Sequence, residues 1–307
     1  MENKIYIPKD ADLLDPKMDS TFKTLFTHDS RGSGIALKSL VSAIIGNEPV
    51  SVEVINNELP KEVLYAKEIR LDLQCKMEDE SRIDIEIQTC PNGDNLRKRS
   101  LYYGSRMLSS MSNSGKRYFE LPKVYQVMFT NFTLFKESQD YMQCFRMKSG
   151  DIELCDTLQV IFIQMPLLRE ELIEEKNLNE IEKWVIFLRD STDKEKRDLL
   201  NRIMATNRGI KEAGEILMTI SADEREWAIQ ESRYKGKMDY ESGLAASHAK
   251  GLEEGIAKGR EEGREEGIEI GEQQGIEKTA RVMKAKNLPN EMITEITGLT
   301  AEQVAAL

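Results

Sequence analysis

Hydrophobic positions recur along the chain with two different periods, and each change of period marks an element. Met18, Phe22, Leu25 and Phe26 follow Pro16 at helical spacing, and Ile35, Leu37, Leu40, Val41, Ile44 and Ile45 repeat it up to Gly46, so two helices are predicted first. The period then drops to two. Val50 to Ile55 alternates and runs into polar, proline-containing sequence, which predicts a strand leaving into a loop. Glu68 to Cys75 alternates strictly, and Arg82 to Gln88 does so again after the turn Glu78-Asp79-Glu80-Ser81, which predicts a hairpin. Thr89 to Asn95 is turn-rich, with Asn92 or Asp94 placed to cap a helix that carries Leu96, Tyr103, Met107 and Leu108 and ends near Ser109 to Gly115. Lys123 to Thr130 reads as a further, buried strand.

Beyond residue 150, Leu158 to Gln164 is strand-like and placed to extend the same sheet. Amphipathic helical sequence follows around Leu167 to Ile173, Ile181 to Leu188, Leu199 to Met204, Ile210 to Ile220 and Trp227 to Tyr234. Glycine then recurs every fourth residue, at 251, 255, 259, 263, 267, 271 and 275, between charged residues and isoleucines. Each glycine inside a helix costs about 1 kcal/mol relative to alanine. The segment is therefore either a helix whose cost is offset by a second helix packed along the stripe, or a charged, solvated linker. Thr279 to Leu307 predicts a small helical unit with turns at Leu288-Pro289 and Gly298-Leu299-Thr300, only loosely similar to a helix-turn-helix. The expected organisation is a core over 1–150, a strand-plus-helix extension over 151–240, the glycine-periodic segment over 241–278 and a helical unit over 279–307.

Composition removes several chemistries. With only His28 and His248 there is no material for a Ser-His-Asp triad or a HExxH zinc site. Cys75, Cys90, Cys144 and Cys155 include no CxxC pair. No apolar run approaches the ~20 residues of a membrane span, and the opening MENKIYIPKD does not read as a signal peptide, so a cytoplasmic protein without a membrane partner is expected. The net charge of −11 is unevenly placed. Residues 1–150 carry 21 acidic and 21 basic side chains, which leaves 33 acidic and 22 basic, the whole excess, in 151–307. The neutral half holds Arg97, Lys98, Arg99, Arg106, Lys116 and Arg117 in one short stretch, suited either to phosphates or simply to solvent.

Carboxylates must then do any chemistry. Alternate residues of a strand share a face, so Asp84, Glu86 and Gln88 project together, as do Glu68, Arg70, Asp72 and Gln74. If the two polar faces coincide, Asp72 stands beside Glu86 across the hairpin, where one Mg²⁺ or Mn²⁺ would bridge both and activate a water against a phosphodiester. The same alternation is also what a sheet with one solvent face displays. Asp84 shares that face and either widens the metal site or occupies the solvent side of an edge strand.

Several stretches in order resemble the Rpn-type recombination-promoting nucleases, a transposase-like branch of the PD-(D/E)XK nucleases. Asp19, Phe22, Lys23 and Phe26 match the family's D-x-x-F-K-x-x-F, Asp72 falls on its metal-binding aspartate, Ile85-Glu86-Ile87-Gln88 is similar to I-E-x-Q, and Arg99 with Tyr103 to R-x-x-x-Y. Trp184, Phe187 and Leu188 resemble its W-x-x-F-L helix. The resemblance implies an α/β core of order αβββαβ followed by a mostly helical C-terminal region. It implies a metal-dependent DNA endonuclease that promotes recombination or transposition, with Asp72, Glu86 and Gln88 catalytic and Asp72, Glu86 and the Ile87 carbonyl on the metal. Where the wider superfamily has the lysine of E-x-K, this chain has Gln88, which holds a water but brings no charge. Arg99 and Lys23 are the candidates to supply it, with Tyr103, Asp84 and Asp19 as further secondary positions. The alternative is a non-catalytic DNA-binding or assembly protein on a degenerate nuclease scaffold, and a homo-oligomer through the C-terminal helices accords with either.

Overall fold

The computed structural model describes residues 6–28, 31–55, 72–91, 95–111, 117–169 and 178–307. The two predicted opening helices are α1 (Asp19–Thr27) and α2 (Arg31–Ile45), whose apolar stripes bury Phe22, Leu25, Phe26, Leu37, Leu40, Val41 and Ile44. Gly46 ends the second helix at φ +77°, a left-handed conformation that glycine adopts without steric cost. β1 (Val52–Val54), β2 (Leu73–Met77) and β3 (Arg82–Gln88) follow as an antiparallel meander. Residues 68–71 of the expected second strand lie outside the described residues, as do Asn92 and Asp94. α3 (Leu96–Met111) instead has the Asn95 side chain accepting from the Lys98 N–H, 3.1 Å. It crosses over to β4 (Val124–Thr130), which runs parallel to β3.

The sheet has six strands in the order β1-β2-β3-β4-β6-β5. β6 (Ile152–Gln164) begins six residues before the apolar run that predicts it and lies parallel to β4. β5 (Met142–Ser149) is an unpredicted edge strand, antiparallel to β6. Its side chains are half-buried or exposed, so backbone pairing, not a buried face, holds it.

The odd-numbered residues of β3 and β4, among them Ile83, Ile85, Ile87, Val127 and Phe129, face the main core, built with α1, α2 and the helices α4 (Glu180–Asp190), α5 (Arg197–Thr206) and α6 (Arg208–Ser221). Trp184 of α4 packs against Phe26 and Phe187 in this layer. The expected helix at Leu167 to Ile173 is not present where the chain is described: Met165–Leu167 is a single 3₁₀ turn, Leu168 and Arg169 are irregular, and 170–173 fall outside the described residues. The opposite face carries the even-numbered residues. There α3 lies over β4 and β6, so close that a Cβ on Gly104 would meet Leu158 Cδ1 at 2.8 Å.

Contacts divide the chain into units at 1–237 and 238–307. α7 (Glu224–Ala285) is one 62-residue helix in which a Cβ at Gly251, Gly255, Gly259, Gly263, Gly267, Gly271 or Gly275 would meet nothing within 4 Å among the described residues. In the second unit α8 (Asn290–Thr297) and α9 (Ala301–Ala306) close Ile293 and Val304 over Ala280. No helix among the described residues is long and apolar enough to cross a membrane.

Candidate functional site

The hairpin register brings the predicted carboxylates together. Gln74 pairs with Asp84 and Leu73 with Ile85, so one step further along β2 Asp72 stands opposite Glu86, on the face that α3 overlooks. The Asp72 carboxylate accepts a hydrogen bond from the Ile87 N–H and lies 3.6 Å from Lys23 Nζ. Glu86 is 3% exposed and meets Arg99 Nη2 at 3.3 Å. α1 therefore delivers Lys23 and α3 delivers Arg99, one cation to each carboxylate.

Burial raises both groups, and each feels its neighbours. Glu86 is pushed up to about 7 by burial and by the charge of Asp72, against the pull of Arg99. Asp72 is raised by burial, with Lys23 opposing and Asp19 adding to the rise. Two carboxylates that both resist ionisation side by side are a favourable seat for a divalent cation, which removes the repulsion that raises them. Ile87 adds a backbone carbonyl next to Glu86. Among the described residues no three His, Cys, Asp or Glu side chains converge, so the residues that could hold a cation here are the two carboxylates and that carbonyl, with water left to complete its shell. That set fits Mg²⁺ or Mn²⁺, which retain several waters, and not a closed structural zinc site.

A cavity of about 390 Å³ opens at this point, lined by Lys17, Met18, Asp19, Asp72, Ile87, Gln88 and Thr89. Gln88 and Asp19 thus both reach the cleft. Tyr103 stays half-buried at the edge of the Met107, Val124 and Leu158 cluster, with the Arg99 guanidinium 5.8 Å from its ring centroid. Asp84 is not at a solvent-facing edge: β3 is flanked by β2 and β4, and Asp84 is fully buried, accepting from Gln126 Nε2 at 2.5 Å. Burial, followed by the charge of Glu86, holds its carboxyl well above the usual range, and like Glu86 it does not line the cleft.

Lys17, Met18 and Thr89 were not singled out from sequence. Lys17 carries no periodic signal; its ammonium donates to the Arg189 carbonyl at 2.9 Å and pairs with Asp15, contacts that only the folded chain creates. Gln126 did leave a trace, as a lone amide inside the apolar run Val124 to Phe129.

The sequence model of a PD-(D/E)XK nuclease family transposase matches residues 16–247, a span that starts before α1 and takes in every strand and every cleft residue. No curated protein and no solved structure matches the chain.

Proposed function

The chain belongs to the PD-(D/E)XK nuclease family transposases, and from that premise we propose that it is a metal-dependent endonuclease that hydrolyses DNA phosphodiesters in recombination or transposition. The observation that carries the reading is the pairing of Asp72 and Glu86 across the hairpin, both raised by burial, where Asp72 opens with Gln88 into one cleft. A bound Mg²⁺ or Mn²⁺ supplies Lewis acidity toward the phosphoryl oxygen and a more acidic water.

The chain's own residues do the rest. Asp72 and Glu86, with the Ile87 carbonyl, would hold the cation. The Gln88 amide orients the attacking water, its carbonyl oxygen accepting one water hydrogen. Because Gln88 brings no charge, Lys23 and Arg99, each held beside the site by one of the two carboxylates, would neutralise the phosphate as charge builds on its oxygens.

A degenerate scaffold that only binds DNA has no use for paired raised carboxylates, and metal binding separates the two. Calorimetric titration of Mn²⁺ at neutral pH should show one site per chain that disappears in Asp72→Ala and in Glu86→Ala. A wild-type protein that takes up no Mn²⁺ would favour the scaffold.

A further inference from the structure

α3 and its continuation differ in composition from the rest of the chain. Asp and Glu make up 54 of 307 residues, yet none of the 25 residues from Asn95 to Phe119 is acidic, while six are Lys or Arg. The structure sorts these residues by direction. Leu96, Ser100, Gly104, Met107 and Met111 face the sheet. Arg99 reaches sideways to Glu86. Arg97 is committed to the neighbouring loop, where it donates to the Leu134 carbonyl, pairs with Glu137 and lies 4.2 Å over the Phe135 ring. The outward stripe, one residue per turn, is formed by Lys98, Tyr102 and Ser105, with Leu101 beside it. Tyr102 is 42% exposed and Leu101 51%.

We propose that this outward face of α3 is the track on which the backbone of duplex DNA lies beside the cleft. The proposal rests on the nuclease reading and adds the surface that holds the substrate. Its warrant is charge complementarity: phosphates are gripped by Lys and Tyr side chains and repelled by carboxylates, and this face presents Lys98 and Tyr102 with no carboxylate in the helix, while the Ser105 hydroxyl is turned back to the Leu101 carbonyl at 2.8 Å and leaves its position open to the backbone. Glu137, which meets the first turn of the helix, is already paired with Arg97. The apolar exposure is limited to Leu101 and Tyr102, enough to pack on sugars and too little for insertion into a lipid surface. α3 is tied to the site from two sides: the close approach at Gly104 seats it on β6, and Arg99 pairs with Glu86.

The test is fluorescence anisotropy of a short labelled duplex with the full-length protein in EDTA, so that binding is read without cleavage. Lys98→Ala, Tyr102→Ala and Ser105→Glu are compared with wild type and with Lys148→Ala on the edge strand β5, each checked for an unchanged melting temperature. Ser105→Glu should weaken binding about tenfold, and Lys98→Ala should lower the slope of log affinity against log salt by about one. Lys148→Ala should bind as wild type. If wild type binds duplex and the three α3 variants bind equally well, the track is elsewhere and the nuclease reading stands. If wild type binds no duplex, DNA as the substrate fails as well. A Ser105→Glu effect seen only with RNA or with phosphatidylserine vesicles would overturn the assignment to duplex DNA.

Discussion

Glu86 carries, in one side chain, the pH dependence that burial beside a second carboxylate creates. Its carboxyl, pushed up to about 7 by burial and Asp72, binds its proton more tightly in the folded than in the unfolded chain. Stability is therefore complete below about pH 4.5 as far as this group is concerned, and is lost as pH rises toward 7 and beyond. In EDTA, Glu86→Gln should melt higher than wild type at pH 8, by roughly 2 kcal/mol of stability, with the advantage vanishing near pH 4.5. Equal melting at both pH values would show that Glu86 is not strained by ionisation. Asp84 obeys different rules because its carboxyl is fully buried against the Gln126 amide. Asp84→Asn should be nearly neutral in stability, whereas Asp84→Ala strands the Gln126 amide and should cost about 1–3 kcal/mol by denaturant unfolding.

The strands and helices show why some of the fold was legible and some was not. Strict alternation from Asp72 to Gln88 determines which side chains meet, so the hairpin, its turn and the Asp72–Glu86 pairing could be anticipated from residue types alone. β5 could not, because its pairing with β6 supplies hydrogen bonds without a buried face to pattern the sequence. The burial of Asp84 was equally hidden, since an alternating polar position looks the same beside solvent as beside a neighbouring strand. α3 is legible as a helix, but its closeness to the sheet depends on Gly104 meeting Leu158, a contact between distant positions. Gly104→Val should lift α3, cost roughly 1–3 kcal/mol through overpacking and lower activity by withdrawing Arg99 from Glu86. Retention of both stability and activity would contradict the close seating of that helix.

Over the whole chain, a core built from the sheet, α1, α2 and α4 to α6 is followed by α7, a helix whose glycines weaken it. Among the described residues nothing packs where their Cβ atoms would be. Gly259→Ala, Gly263→Ala and Gly267→Ala should then each raise helix stability by about 1 kcal/mol, read as helicity by circular dichroism on heating. A loss of stability with dissociation into smaller species by light scattering would instead identify the stripe as a contact between copies of the chain, the homo-oligomer proposed from sequence. Catalysis, in contrast, is assigned entirely to the first unit. The most direct measurement is cleavage of supercoiled plasmid by the purified protein in Mg²⁺, Mn²⁺, Ca²⁺ or EDTA, comparing wild type with Asp72→Ala and Glu86→Ala. The account predicts nicking or linearisation in Mg²⁺ or Mn²⁺, none in EDTA, and loss in both variants. Absence of cleavage in every condition, or activity that survives either substitution, would contradict it.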